Sequence, residues 1–227
     1  MPELITIARM KNSFSEKFGI PRQSGLVPEL RGYITFEPEY RNPDALRGLE
    51  GFSHIWLLWG FSAVKGKSWS PTVRPPKLGG NRRMGVFATR SPFRPNSIGL
   101  SCVKIDRIEL DSPEGPVLHV LGADLMDGTP IYDIKPYLPQ ADCHPEAIGG
   151  FAEAAAGQTL KVQIPGELLP LLPFEEWEIL RRLLVEDPRP GYQQDPERVY
   201  GMCYGGVNVK FTVSGDRLTV REVLQDQ

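Results

Sequence analysis

Gly85 to Ser101, GVFATRSPFRPNSIGLS, holds more unusual chemistry in fewer positions than any other stretch of the chain. Arg90 and Arg94 stand four apart, with Pro92 between them and Pro95 after. Each proline restrains its own φ and pushes the residue before it towards extended geometry, so a helix here is excluded. The pattern predicts a strand over Val86, Phe87 and Ala88, a stiff loop, and a second strand beginning near Ile98. Asn96 and Gly99 tolerate the positive φ that such a loop often needs. A proline-braced loop that carries guanidinium groups suits an anion or a planar ligand. The other reading is a surface turn with its arginines in water.

On both sides the sequence keeps to short strands and Pro/Gly turns. Upstream, a first strand is predicted over Leu4–Ala8 and another over Gly32–Phe36, with a loop from Ser13 to Leu26 between them. Asn42 is placed to cap a helical turn over Pro43–Leu49. Phe52–Phe61 is apolar apart from Ser53, His54 and Gly60, which predicts a strand buried on both faces with His54 a structural histidine at its mouth. Lys65–Arg83 is a long irregular loop whose Trp69 is either a loop anchor or a stacking platform. Downstream, Leu100–Leu110 and Val117–Leu121 are strands joined by the turn DSPEGP. A second dense cluster, GADLMDGTPIYDIKPYLPQAD, reads as a turn at Asp127-Gly128 and an extended segment stiffened by Pro130.

Residues 139–158 read as a linker, and the character then changes. A short strand is predicted over Thr159–Ile164, an amphipathic helix over Phe174–Val185, and a hairpin over Val207–Val213 and Leu218–Val223 that turns at Ser214-Gly215-Asp216. The expected architecture is therefore mainly β. An antiparallel β-barrel-like domain spans residues 1–155 and a small α+β domain spans 156–227, with no doubly wound parallel sheet.

Composition narrows the function classes. At 41% hydrophobic and 24% charged the chain has ordinary globular values, and no apolar run approaches the ~20 residues of a membrane span. The N-terminal residues lack the basic region and apolar core of a secretory signal. Three cysteines without CxxC spacing read as reduced thiols, so the expected compartment is the cytoplasm. Cys143-His144 resembles a metal pair, but two adjacent ligands do not make a site. A net charge of −2 argues against an indiscriminately basic nucleic-acid binder. The distribution matters more: from Gly51 to Ile105 there are nine lysines and arginines and no acid. Such a segment is a candidate phosphate-binding surface or a solvated face.

The central stretch resembles the signature of the TsaA-like (TrmO) family, G-x-F-A-x-R-S-x-x-R-P-N-x-I-G-L. Gly85, Phe87, Ala88, Arg90, Ser91, Arg94, Pro95, Asn96, Ile98, Gly99 and Leu100 all match it, and Ser97 stands where the family usually has proline. The segment LEGFSHIW and the second signature, D-x-x-D-G-T-P-x-x-D-I-K-P-Y, match as well. The resemblance implies a β-barrel-like methyltransferase, working as a homodimer, that transfers a methyl group from S-adenosylmethionine to N6 of threonylcarbamoyl-adenosine beside the tRNA anticodon. It implies donor contacts from Pro21, Arg22, Gln23, Ser62, Ala63, Arg90, Leu100, Asp127, Gly128, Thr129 and Pro130. Many family members carry histidine near Ser62 and Ala63, so backbone contacts are expected there.

Chemistry suggests the remaining roles. The ureido nitrogen is a poor nucleophile, and a base or a polarising hydrogen bond helps it. Asp133, Tyr137 and Lys135 are the candidates. Arg90 or Arg94 is a candidate to pair with the threonyl carboxylate, Asn96 is a further substrate-binding candidate, and Lys65, Lys67, Arg82 and Arg83 of the basic loop are candidates for holding the anticodon arm through its phosphates. No strand–GxGxxG–helix unit is present, so a Rossmann donor site is excluded. Two alternatives come from other classes: a non-catalytic RNA-binding module of the same fold, and a methyltransferase acting on a small molecule.

Overall fold

The computed structural model describes residues 4–64, 68–75, 82–154, 159–189, 193 and 195–225. Six strands close a barrel in the order β1-β2-β7-β6-β3-β8: β1 (Ala8–Asn12), β2 (Arg31–Phe36), β3 (His54–Gly60), β6 (Ile98–Glu109), β7 (Val117–Leu121) and β8 (Pro130–Pro136). Every neighbouring pair is antiparallel. Closure removes the unpaired edges that an open sheet of short strands would expose. The two-stranded pair β4 (Thr72–Val73) and β5 (Met84–Gly85) stands apart from it. Beyond the barrel, β9 (Lys161–Gln163), β10 (Tyr200–Tyr204), β11 (Val207–Ser214) and β12 (Arg217–Gln225) form a sheet in the order β10-β11-β12-β9. Among the described residues no helix is long and apolar enough to cross a membrane.

The expected mainly β barrel is present, while several local expectations are corrected. The first strand begins at Ala8 and does not run over Leu4–Ala8, because the barrel needs Ala8 and Met10 inside and leaves Leu4 and Ile5 exposed. Val86–Ala88 is a 3-10 turn and not a strand; only Met84–Gly85 pairs. β3 is buried on one face only: Ile55, Leu57 and Trp59 point into the core while Trp56 and Leu58 are half-buried. Within the segment expected to be a linker, Pro139–Asp142 and Phe151–Ala154 form single helical turns. Tyr200–Tyr204 is a strand that no alternation of its sequence announced. The helix over Phe174–Val185, the Asn42 cap and the hairpin at Ser214–Arg217 are found as expected.

Two hydrophobic cores result. The barrel core contains Met10, Ile34, Ile55, Leu57, Trp59, Val103, Leu118, Val120, Leu125 and Ile131. The second core packs the helix, through Trp177, Leu180, Leu183 and Leu184, against Met202, Val209, Phe211, Val213, Leu218 and Val220. It also takes Phe14, Val27 and Leu30 from the connection between β1 and β2. A long connection without regular structure is thus anchored by apolar side chains in the other core.

A polar chain runs from the barrel core to its mouth. Trp59 Nε1 donates to Ser101 Oγ at 2.9 Å, and the Ser101 hydroxyl donates to Asp124 Oδ1 at 2.6 Å. Trp59 lies against Gly99, where an added Cβ would come within 2.3 Å of its ring, so this barrel position needs glycine. Burial is the strongest influence on Asp124 and raises its carboxyl above the ordinary 3.8, while the Ser101 hydroxyl, backbone N–H groups and Arg90 pull it down. The folded chain therefore holds this proton more tightly than the unfolded chain, and stability falls as pH rises from the unfolded value through the raised folded one. Asp124→Asn does not titrate, so its stability relative to the wild-type chain should climb across that window and level off above it. Urea midpoints of both proteins between about pH 3.5 and 8 check this. A constant difference would mean that Asp124 ionises alike in both states.

Candidate functional site

The signature loop is braced from within. Arg94 Nη1 donates to the carbonyls of Thr89 at 2.7 Å and Ser91 at 3.3 Å, and its guanidinium sits 5.9 Å from the centre of the Phe87 ring. The Thr89 hydroxyl donates to the Val86 carbonyl and the Ser97 hydroxyl to the Pro92 carbonyl, both at 2.9 Å. Ser97 thus supplies by hydrogen bond a restraint where the family usually has a proline. Phe61 N donates to Ser97 O at 3.1 Å and Val86 N to Pro71 O at 3.0 Å, which tie the loop to the end of β3 and to the segment before β4. Arg94, expected to face substrate, is engaged in this bracing; Asn96 is exposed beside it.

Arg90 is left to point outwards, and it meets the Pro21–Gln23 segment. Its Nη1 donates to Gln23 Oε1, joining residues 67 positions apart in the chain. Arg90 also lies close enough to Asp124 to favour that carboxylate, and the Ser24 backbone is near enough to lower the same carboxyl slightly. Gln23, Ser24, Arg90 and Asp124 therefore converge where the inner chain Trp59–Ser101–Asp124 reaches the barrel mouth. Asp124 is the first residue of the second signature, whereas Ser24 and Ser101 stand outside every site expectation drawn from the sequence. Nothing local marks them, since their importance lies in contacts across the barrel.

Pro21 is buried, and Arg22 donates through Nη2 to the carbonyls of Asp187 at 2.9 Å and Arg189 at 2.8 Å. Ser62 and Ala63 lie in a 3-10 turn directly after β3. The Asp127–Pro130 turn is knitted to β1: Asp127 Oδ1 accepts from Asn12 N at 3.1 Å and Gly128 N donates to Met10 O at 2.8 Å. Thr129 is buried with its hydroxyl donated to the Met126 carbonyl, and Pro130 pairs with Arg9. Asp127 also lines an open groove of about 440 Å³ with Lys11, Arg31, Tyr33, Arg107 and His119.

Leu100 and the proposed catalytic residues share the outer face of the barrel. The register sets Leu100 opposite Leu58 and Leu58 opposite Asp133; one row further, Cys102 is opposite Trp56 and Trp56 opposite Lys135. Leu100 is 55% exposed. Asp133 and Lys135 pair with each other at 2.8 Å. Tyr137 packs against His54 and Trp56, with ring centres 6.2 and 5.8 Å away. Its hydroxyl is raised above the ordinary phenol value, by loss of water first and then by Cys143, Cys102 and Asp142, so at neutral pH it is a hydrogen-bond donor and not a base.

Of the basic loop, Arg82 and Arg83 are exposed, and Arg83 Nη1 donates to Thr72 Oγ1 at 3.3 Å. Lys65 and Lys67 lie outside the described residues. Trp69 is 51% exposed, which removes the reading of it as an anchor packed into the core. Phe87, read from the sequence as part of a strand, is 75% exposed. The site thus presents aromatic and cationic groups together, the combination that engages unpaired bases and their phosphates.

Comparison with known proteins agrees with the fold. Residues 9–143 match the model of the tRNA-methyltransferase O N-terminal domain, and residues 151–226 match the TrmO C-terminal domain. A tRNA (adenine(37)-N6)-methyltransferase of Escherichia coli is 41% identical over 216 residues, covering 92% of each chain. One from Eikenella corrodens is 47% identical over 174 residues, covering 76% of this chain and 97% of the relative. The crystal structure of TrmO from Pseudomonas aeruginosa superposes with a TM-score of 0.76 at 32% identity, covering 99% of both chains. With both of its halves matched and relatives aligned nearly end to end, the chain belongs to the tRNA-methyltransferase O family.

Proposed function

We propose that this protein is a tRNA methyltransferase that modifies N6 of adenosine 37, with S-adenosylmethionine as donor and the threonylcarbamoyl form of the base as substrate. The observation that carries the proposal is the meeting of Gln23, Ser24, Arg90 and Asp124 at the barrel mouth. The amino-acid end of the donor bears one positive and one negative charge. A guanidinium bonded to the Gln23 amide, with a carboxyl near enough to feel its charge, fits that pair. S-adenosylmethionine, when bound, supplies an electrophilic methyl carbon next to a sulfonium. The chain's own work is then largely positioning. Pro21, Gln23, Arg90, Leu100 and the Asp127–Pro130 turn hold the donor, with backbone groups at Ser62 and Ala63.

On the outer face of β8, Asp133 is assigned to receive the N6 proton, and Lys135, its ion-pair partner at 2.8 Å, fixes the direction of its carboxylate. Tyr137 donates a hydrogen bond to the carbamoyl group. Half-exposed Leu100 on the same face suits cover by a second copy in a homodimer. The anticodon arm lies over Trp69 and Phe87, with Arg82 and Arg83 at its phosphates; Lys65 and Lys67, outside the described residues, are assigned the same role from the sequence. The target base sits in a single-stranded loop, where extrusion is cheap, and the enzyme works in the cytoplasm with its tRNA.

Calorimetric titration with S-adenosylmethionine and mass spectrometry of treated tRNA test the reading directly. Arg90→Ala should weaken donor binding at least tenfold, about 1.4 kcal/mol; unchanged affinity in a folded variant removes Arg90 from the donor site. Asp133→Ala should leave donor affinity within about twofold while kcat falls by roughly a hundredfold or more. An unaltered kcat would mean that Asp133 is not the base. Neutralising Lys65, Lys67, Arg82 and Arg83 together should raise the KM for tRNA. The log–log salt slope of tRNA binding should flatten by ~0.7 for each phosphate that the variant no longer neutralises. Binding measured at two salt concentrations with an identical slope in variant and wild type would show that this loop is not the tRNA platform.

A further inference from the structure

The segment that carries Pro21, Arg22 and Gln23 belongs physically to the second core. Phe14, Val27 and Leu30 are buried there, and Phe18 and Ile20 pack against it. Gly205 N donates to the Ser13 carbonyl and Cys203 N to Glu16 Oε1, each at 3.3 Å, and Arg182 pairs with Glu29 at 2.9 Å. Gly19 has φ +95° and lies against Met202, where an added Cβ would come within 2.4 Å of the side chain. Position 19 is therefore restricted to glycine by backbone and by space together.

Within this packing, Arg22 donates through Nη2 to two carbonyls of one turn, those of Asp187 and Arg189. The turn is itself held in an unusual shape. Asp187 has φ +48°, a left-handed backbone that costs an L-residue energy. Its carboxylate accepts from Arg189 at N (3.2 Å), Nε (2.9 Å) and Nη2 (3.0 Å). Arg189 is only 9% exposed and lies 6.0 Å from the centre of the Tyr200 ring. A carboxylate gripped in this two-pronged way aims two backbone carbonyls at Arg22. The next two residues of the loop, Gln23 and Ser24, are the ones that reach Arg90 and Asp124.

We propose that the Asp187–Arg189 turn is a positioning device for the donor site: by holding Arg22, it sets Gln23 and Ser24 against Arg90 and Asp124. Residues of the second domain that do not touch the donor then determine how tightly it binds. The inference rests on the assignment of S-adenosylmethionine to the barrel mouth. Asp187 and Arg189 are its positioning residues, and Arg22 is the link between the turn and the loop.

The test uses the full chain with Asp187→Asn, Arg189→Met and Arg189→Lys, each titrated with S-adenosylmethionine well below its melting temperature. Asp187→Asn and Arg189→Met should raise the donor dissociation constant roughly three- to thirtyfold. Arg189→Lys, which keeps a single ion pair, should fall between them and the wild type. Amide exchange of residues 20–24 should quicken in the same order, while tRNA affinity stays within about twofold of wild type. A merely structural role predicts a lower melting temperature with donor affinity unchanged, and that result overturns the proposal. If Arg189→Met does not fold, Asp187→Asn, which preserves shape, carries the test. A wild-type chain that binds no donor overturns the proposed activity instead. Exchange at residues 20–24 then still decides whether the turn holds the loop.

Discussion

Arg22 reaches carbonyl groups 165 and 167 residues further along the chain, and the relation between the two halves of the molecule turns on that contact. Taking a guanidinium out of water is costly unless its donors are met. Burial is the largest influence on Arg22 and lowers its pKa, with Asp187 and Glu186 offsetting part of the loss. The carbonyls of the Asp187–Arg189 turn satisfy it, and the acids beside them supply opposite charge. Around this polar centre Phe14, Val27 and Leu30 of the same segment are absorbed into the second core, with Phe18 and Ile20 packed against it. A connection that would otherwise be free to move becomes a wall shared by both halves.

Two arginines four residues apart divide the work of the signature loop. Arg94 turns inwards on the carbonyls of Thr89 and Ser91 and under Phe87, so it holds the loop's shape. Arg90 is released from that duty and faces Gln23. A rigid loop with one outward cation loses little side-chain freedom when it binds, the advantage that preorganisation gives to recognition. The mouth gains a complementary group from below, since Asp124 is tied through Ser101 to Trp59 in the barrel core.

The outer face of β6, β3 and β8 is the second place where sequence-distant residues meet. Antiparallel register alone sets Leu100, Leu58 and Asp133 in one row, although they come from three strands. Tyr137 follows at the end of the same strand, packed beside Trp56 and His54. Hydrophobic and ionisable groups are thereby interleaved on a surface that strand pairing holds stiff. A flexible loop would hold the same groups less accurately.

Local sequence patterns suffice for a mainly β chain with a helix at Phe174–Val185, a hairpin turning after Ser214 and a capped turn at Asn42. These features follow from periodicity, turn chemistry and capping, which act over a few residues and are written in the order of those residues. Matching signatures also marked Gln23 and Arg90 as important before anything placed them together. Tertiary structure alone decided that Val86–Ala88 is a turn, that the first strand starts at Ala8, and that Tyr200–Tyr204 joins a sheet. It alone decided that Arg22 serves the Asp187–Arg189 turn, that Asp124 is half-buried and bonded to Ser101, and that Phe14, Val27 and Leu30 belong to the second core. The physical reason is common to all of them. Each outcome depends on which distant surface excludes water from the residue or answers its hydrogen bonds, and no local pattern contains the identity of that surface.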